Sequence, residues 1–93
     1  MTRGGYLAEV RRRLENVEPD LSRLLTYEQI AEQYGDRLRA LGLGATAKAI
    51  QATMRTLTSQ RILHRYELVN RIRIPANEVE VYLDVLEEPR PVA

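Results

Sequence analysis

No Asp or Glu occurs between Leu38 and Tyr66, a stretch long enough for a helix and its flanking turns. Within it, helical spacing from about Thr46 to Gln60 places Ile50, Met54 (or Thr53) and Leu57 on one apolar stripe. The opposite side then carries Thr46, Lys48, Gln51, Ala52, Arg55 and Thr56. A helix that merely faces water normally mixes both charge signs. Here the outer face offers only cations, hydroxyls, an amide and a methyl, the groups that meet phosphates and base edges. The chain uses thirteen Arg and a single Lys. Arg suits bidentate contacts to phosphate and guanine better than Lys does.

Other chemistry finds little support. The absence of Cys excludes disulfides, thiolate metal sites and a cysteine nucleophile. His64 is the only histidine, so one chain cannot assemble a multi-histidine zinc site. Ser22 and Ser59 lie outside any nucleophile elbow, and the glycines form neither GxGxxG nor a phosphate loop. Glu78, Glu80, Glu87 and Glu88 read as a solvated acidic tail. No enzyme, cofactor or metal is expected.

Charge is segregated along the 93 residues although the net charge is only +1. Residues 1–35 hold five Arg against six acids, giving −1, and residues 36–73 hold seven Arg and Lys48 against Asp36 and Glu67, giving +6. Residues 74–93 hold Arg90 against five acids, giving −4. A basic middle beside an acidic end produces a local positive surface under a neutral total. Length and composition suit one domain, with residues 1–5 and 89–93 as loose ends. No apolar run reaches the roughly 18–20 residues of a membrane span, and the start lacks a secretory apolar stretch. A cytoplasmic protein is expected.

Four segments must position the basic face. Leu7, Val10, Leu14 and Val17 recur at three- and four-residue steps, a helix from Gly5 that Pro19 stops. Arg11, Arg12 and Arg13 spread over about 200° of that helix and cannot form one patch. Leu21, Leu24 and Leu25 read as an apolar turn. Thr26 and Gln29 fit a capping box, opening a helix with Ile30, Ala31, Tyr34, Leu38 and Leu41 on its inner face; Gly42 or Gly44 suits the left-handed position past its end. The last third admits two readings. Residues 77–88 fit a helix capped by Asn77, with Glu80 three residues on. The strict alternation of Val79, Val81, Leu83 and Val85 favours a strand instead. With Pro75–Glu78 as the loop, Ile74, Ile72 and Leu68 face Val79, Val81 and Val85, and Arg73 faces Glu80, so the hairpin is the expected form.

Three helices followed by a two-stranded hairpin, mainly α with a small β element (α+β), resembles the winged helix-turn-helix superfamily of small bacterial, archaeal, plasmid and phage regulators. The residues that carry the resemblance are LTYEQIAEQYG (Leu25–Gly35) and ATAKAIQATMRTLTSQRIL (Ala45–Leu63). Two features depart from it. About ten residues, Gly35 to Gly44, replace a tight turn, and Arg61 stands where such domains often have Gly. The resemblance implies sequence-specific double-stranded DNA binding by a nucleoid-associated homodimer, as a transcriptional regulator or a plasmid or phage control or partition protein. It makes Thr46, Lys48, Gln51, Ala52 and Arg55 the groove-facing set, with Arg71 and Arg73 touching the backbone from the wing. Arg55 would grip guanine, Gln51 adenine and Ala52 a thymine methyl. Leu7, Val10 and Leu14, or the Val/Leu face of the last segment, would join two copies. The competing class is a protein-interaction module on the same fold, an adaptor or inhibitor without DNA binding. RNA or single-strand binding ranks third, because only Tyr66 and Tyr82 would lie on the sheet.

Overall fold

A computed structural model describes residues 3–89, with side chains from Tyr6 onward. The expected loose ends at residues 1–2 and 90–93 lie outside the described residues, whereas helix already begins at Arg3. The chain is an α+β fold of four helices and a three-stranded antiparallel sheet. In order these are α1 (Arg3–Leu14), β1 (Leu24–Thr26), α2 (Tyr27–Ala40), α3 (Ala47–Ser59), β2 (Tyr66–Leu68), β3 (Arg71–Pro75) and α4 (Ala76–Glu87).

Local chemistry accounts for the helix limits. Thr26 Oγ1 accepts from the Gln29 N–H at 3.2 Å while Gln29 Oε1 accepts from the Thr26 N–H at 2.9 Å, the reciprocal cap that opens α2. Helix α2 tolerates Gly35 and runs to Ala40, so the long Gly35–Gly44 segment is largely an extended helix rather than a loop. It ends where Gly42 adopts φ +74°, letting Leu43 N–H donate to Leu38 C=O and Gly42 N–H to Arg39 C=O. Helix α3 opens on Thr46, whose hydroxyl accepts from the Ala49 N–H. The same double closure ends α3, with Arg61 at φ 58° in the position that favours glycine.

One core joins all these elements. Val10 and Leu14 of α1 meet Ile30 and Leu38 of α2, Ile50, Met54 and Leu57 of α3, Ile74 of β3, and Val79, Leu83 and Val85 of α4. The strand order is β1-β3-β2, with Leu25 opposite Ile74 and Tyr66 opposite Arg73.

Four expectations are corrected. The hairpin turns at Val69–Asn70, not at Pro75–Glu78: Leu68 pairs with Arg71, and residues 76–87 are helix α4. The alternating valines coexist with a helical stripe of Val79, Tyr82, Leu83 and Leu86. Packing against α1, α2 and β3 buries α4 on several sides, so its apolar residues need not follow one narrow stripe. Asn77 is no cap. Its Nδ2 donates to Glu18 C=O at 2.8 Å and its Oδ1 accepts from Asp20 N–H at 3.1 Å, tethering the loop after α1. Tyr82 is buried in a helix rather than displayed on a sheet. Finally, Leu24–Thr26 is a strand rather than an apolar turn; three residues carry no period of their own and hold their form by pairing with β3.

Candidate nucleic-acid interface

Helix α3 turns Ile50, Met54 and Leu57 inward and leaves one side open. Lys48, Gln51, Ala52 and Arg55 fall within an arc of about 100° on that side. Lys48, Ala52 and Arg55 are exposed and Gln51 is half-buried, so the face is not folded against the body of the protein. Thr46 is both exposed and the helix cap, which ties its hydroxyl to Ala49 N–H.

Gln51 and Arg55 form one wall of a cleft of about 250 Å³; Arg71 and Ile72 of β3 form the other, and Thr26, Tyr27 and Glu28 close the end. The Arg55 guanidinium lies 5.4 Å from the centre of the Tyr27 ring, which braces it over an aromatic face. Tyr27 is itself anchored, its hydroxyl 3.2 Å from Thr58 Oγ1 on α3. Ala52 sits on the far flank of α3, at the rim of a second groove with Leu7, Thr56 and Tyr82. Arg73 is set back from the cleft. It is half-buried between Thr26 and Tyr66 in the sheet, with its Nε buried and unpartnered.

The expected Arg73–Glu80 pairing does not form, because Glu80 lies on α4. Glu80 instead accepts from the Tyr34 hydroxyl at 3.1 Å and lies 4.0 Å from Arg23. The stripe expected to join two copies is also redirected: Val10 and Leu14 are buried in the chain's own core and Leu7 packs against it. Val79, Leu83 and Val85 of α4 are equally buried. Packing of α4 on α1 therefore uses most of both stripes within one chain and leaves Leu7, Val81 and Leu86 half-buried.

The acidic end of the sequence has a structural role. Asp84 and Glu87 of α4 grip Arg37 of α2, and Glu88 binds Arg13 of α1 at 2.5 Å. Arg12 and Arg13 also bind Glu9, whose carboxyl is held down to about 2 by the hydrogen bond from Arg12 first and then that from Arg13. Arg39 pairs with Asp36, and Arg11 donates to the Gln60 carbonyl at the end of α3. Among the described residues, the cations left with no ion-pair or hydrogen-bond partner are Lys48, Arg55, Arg61, Arg65, Arg71 and Arg73, all on α3, the following turn and the β2–β3 hairpin.

Sequence reading missed Tyr27, Glu28, Arg61 and Arg65. Arg61 and Arg65 border a further cleft with Ser59 and His64, beyond the C-terminus of α3. Their signal lay in the same acid-free stretch. His64 is held by Glu78, a fully buried carboxylate that accepts from the His64 N–H at 2.8 Å and lies 2.6 Å from His64 Nδ1. This pins the entry of the hairpin to α4. Among the described residues no cluster of His, Asp and Glu could hold a metal, and no helix is long and apolar enough to cross a membrane. No protein-family model, curated protein sequence or solved structure matches this chain.

Proposed function

We propose that this chain is a winged helix-turn-helix protein that binds double-stranded DNA sequence-specifically, laying α3 in the major groove. The carrying observation is the separation of charge. Acids of α1, α2 and α4 neutralise arginines of α1 and α2, while six cations from Lys48 to Arg73 have no ion-pair or hydrogen-bond partner among the described residues. A solvent-exposed cation gains little from leaving water, but a phosphate array rewards several at once through counterion release. The element order α1-β1-α2-α3-β2-β3, with the hairpin beside the free face of α3, supports the same reading.

In this reading Arg55, braced on Tyr27, forks onto guanine N7 and O6, and Gln51 reads adenine. Ala52 meets a thymine methyl. Lys48, Arg71 and the exposed amides around Thr46 hold phosphates, with Arg61 and Arg65 extending the track. Arg73 supports the field of the hairpin from behind rather than touching the duplex. Two copies on a two-fold site multiply the few base pairs that one helix reads. In this role the protein serves as a regulator of transcription or a plasmid or phage control or partition factor on the nucleoid.

The test is electrophoretic retention of random-sequence duplex at low and moderate salt, followed by selection from a random pool. Retention that collapses with salt, together with a selected palindrome, is the expected result. No retention at low salt overturns the reading and leaves a protein-interaction module on the same fold.

A further inference from the structure

The tip of the β2–β3 hairpin breaks a local rule. Leu68 and Arg71 close a two-residue turn in which Val69 has φ 52° and Asn70 has φ 58°. Such turns need left-handed backbone at both central positions. Asn tolerates that region, whereas a β-branched side chain is strained there. Val69 is also 80 % exposed and Leu68 50 % exposed, and with Leu21 they are, among the described residues, the large apolar side chains most open to solvent. Asn or Gly suits that backbone better and exposes less apolar surface, so the valine adds strain and exposed apolar area to the protomer.

Its surroundings indicate what it meets. Arg71 stands directly across from Leu68 and lines the cleft with Arg55 and Gln51. Side chains alternate along a strand, so Leu68 and Arg71 share one face of the hairpin and Glu67, its one carboxylate, projects from the other. Arg65 and Arg61 precede β2, on the other side of Glu67 in sequence. An apolar point with the unpartnered Arg71 at its base complements a ligand that is anionic outside and apolar within. Stacked bases behind two phosphate rails fit that description.

We propose that Val69 and Leu68 form a wedge that enters the minor groove beside the site of α3 and partly unstacks one base step, bending the duplex while Arg71 holds the adjacent phosphate. Apolar side chains inserted in this way kink DNA by roughly 20–90°. This inference rests on the groove reading above, and its test separates the two.

Duplex carrying a fluorophore at each end is titrated with wild-type protein, Val69→Asn and Leu68→Thr, reading affinity by anisotropy and end-to-end distance by energy transfer. Wild type is expected to bind and shorten the end-to-end distance. Val69→Asn removes the wedge but relieves the turn, so its melting temperature is expected to hold or rise while affinity falls roughly tenfold, the burial of one valine, and the bend is lost. Opposite movement of stability and bending cannot come from misfolding. Leu68→Thr, which keeps strand propensity, is expected to weaken both readouts. If wild type binds without bending, or Val69→Asn bends like wild type, the wedge is overturned and the groove reading stands. If wild type binds no duplex, both fall. Val69→Asn abolishing self-association or binding to anionic vesicles, with bending unchanged, assigns the tip to another partner and overturns the proposal.

Discussion

Lys48→Ala and Arg55→Ala should fail in different ways, because one residue is assigned to phosphate and the other to a base. Lys48 is exposed at the start of α3 with no partner, while Arg55 is fixed over Tyr27 and faces Arg71 across the cleft. Suppose that Lys48, Arg61, Arg65 and Arg71 each neutralise one phosphate. The slope of log K against log salt is then about −3.6 for one copy, and a fourfold rise in salt weakens binding roughly 150-fold. Removing Lys48 lowers the slope to about −2.7 and that loss to roughly 40-fold, uniformly across sequences. Removing Arg55 should cost about 1–3 kcal/mol on the preferred site and relax selectivity at one base pair. The assay is anisotropy of labelled duplexes over a salt series, with every single-base variant of the selected site. Arg55→Ala also deletes an exposed cation–π contact worth about 0.5–1 kcal/mol of stability, so binding is measured well below the melting temperature. An unchanged slope in Lys48→Ala together with unchanged selectivity in Arg55→Ala would refute the assignment of this face.

Three further outcomes test the surrounding structure. Glu28 lines the cleft, where it repels phosphate, yet it also sits in the first turn of α2, so Glu28→Gln should tighten random-duplex binding while costing about 0.3–1 kcal/mol in thermal stability. Arg61→Gly frees a left-handed position and should stabilise the fold by about 0.5–1 kcal/mol in urea denaturation, with a lower salt slope on DNA. The third concerns acid. Arg12 and then Arg13 hold the folded-state Glu9 carboxyl near 2, against 4.5 for the free group, so its contribution is complete above about pH 4.5 and disappears as pH falls toward 2. Arg37 lowers Glu87 in the same direction. The melting temperature should therefore drop over that window, and Glu9→Gln should flatten the drop.

The sequence by itself determined those elements whose signals are local. The Thr26–Gln29 cap, the inner faces of α2 and α3, and the limits of α3 all follow from side-chain period and end chemistry within one segment. The outer face of α3 was legible for the same reason: an inner stripe leaves only one opposite side. The acid-free run from Leu38 to Tyr66 held four of the six unpartnered cations, Lys48, Arg55, Arg61 and Arg65, whereas Arg71 and Arg73 lie beyond Glu67 and Arg39 within the run pairs with Asp36. Tertiary structure alone decided the last third. Alternating apolar residues from Val79 to Val85 satisfy a strand, or a helix buried on several sides, and only the surface offered by α1, α2 and β3 selects the helix. That choice moved the hairpin turn from Pro75–Glu78 to Val69–Asn70, buried Val10 and Leu14 in the core beside α4, and sent the acids of α4 and Glu88 after it to Arg37 and Arg13 instead of into solvent. Ion pairs and strand pairings between residues some fifty positions apart leave no period in the chain, because their energy exists only once both partners have been brought together.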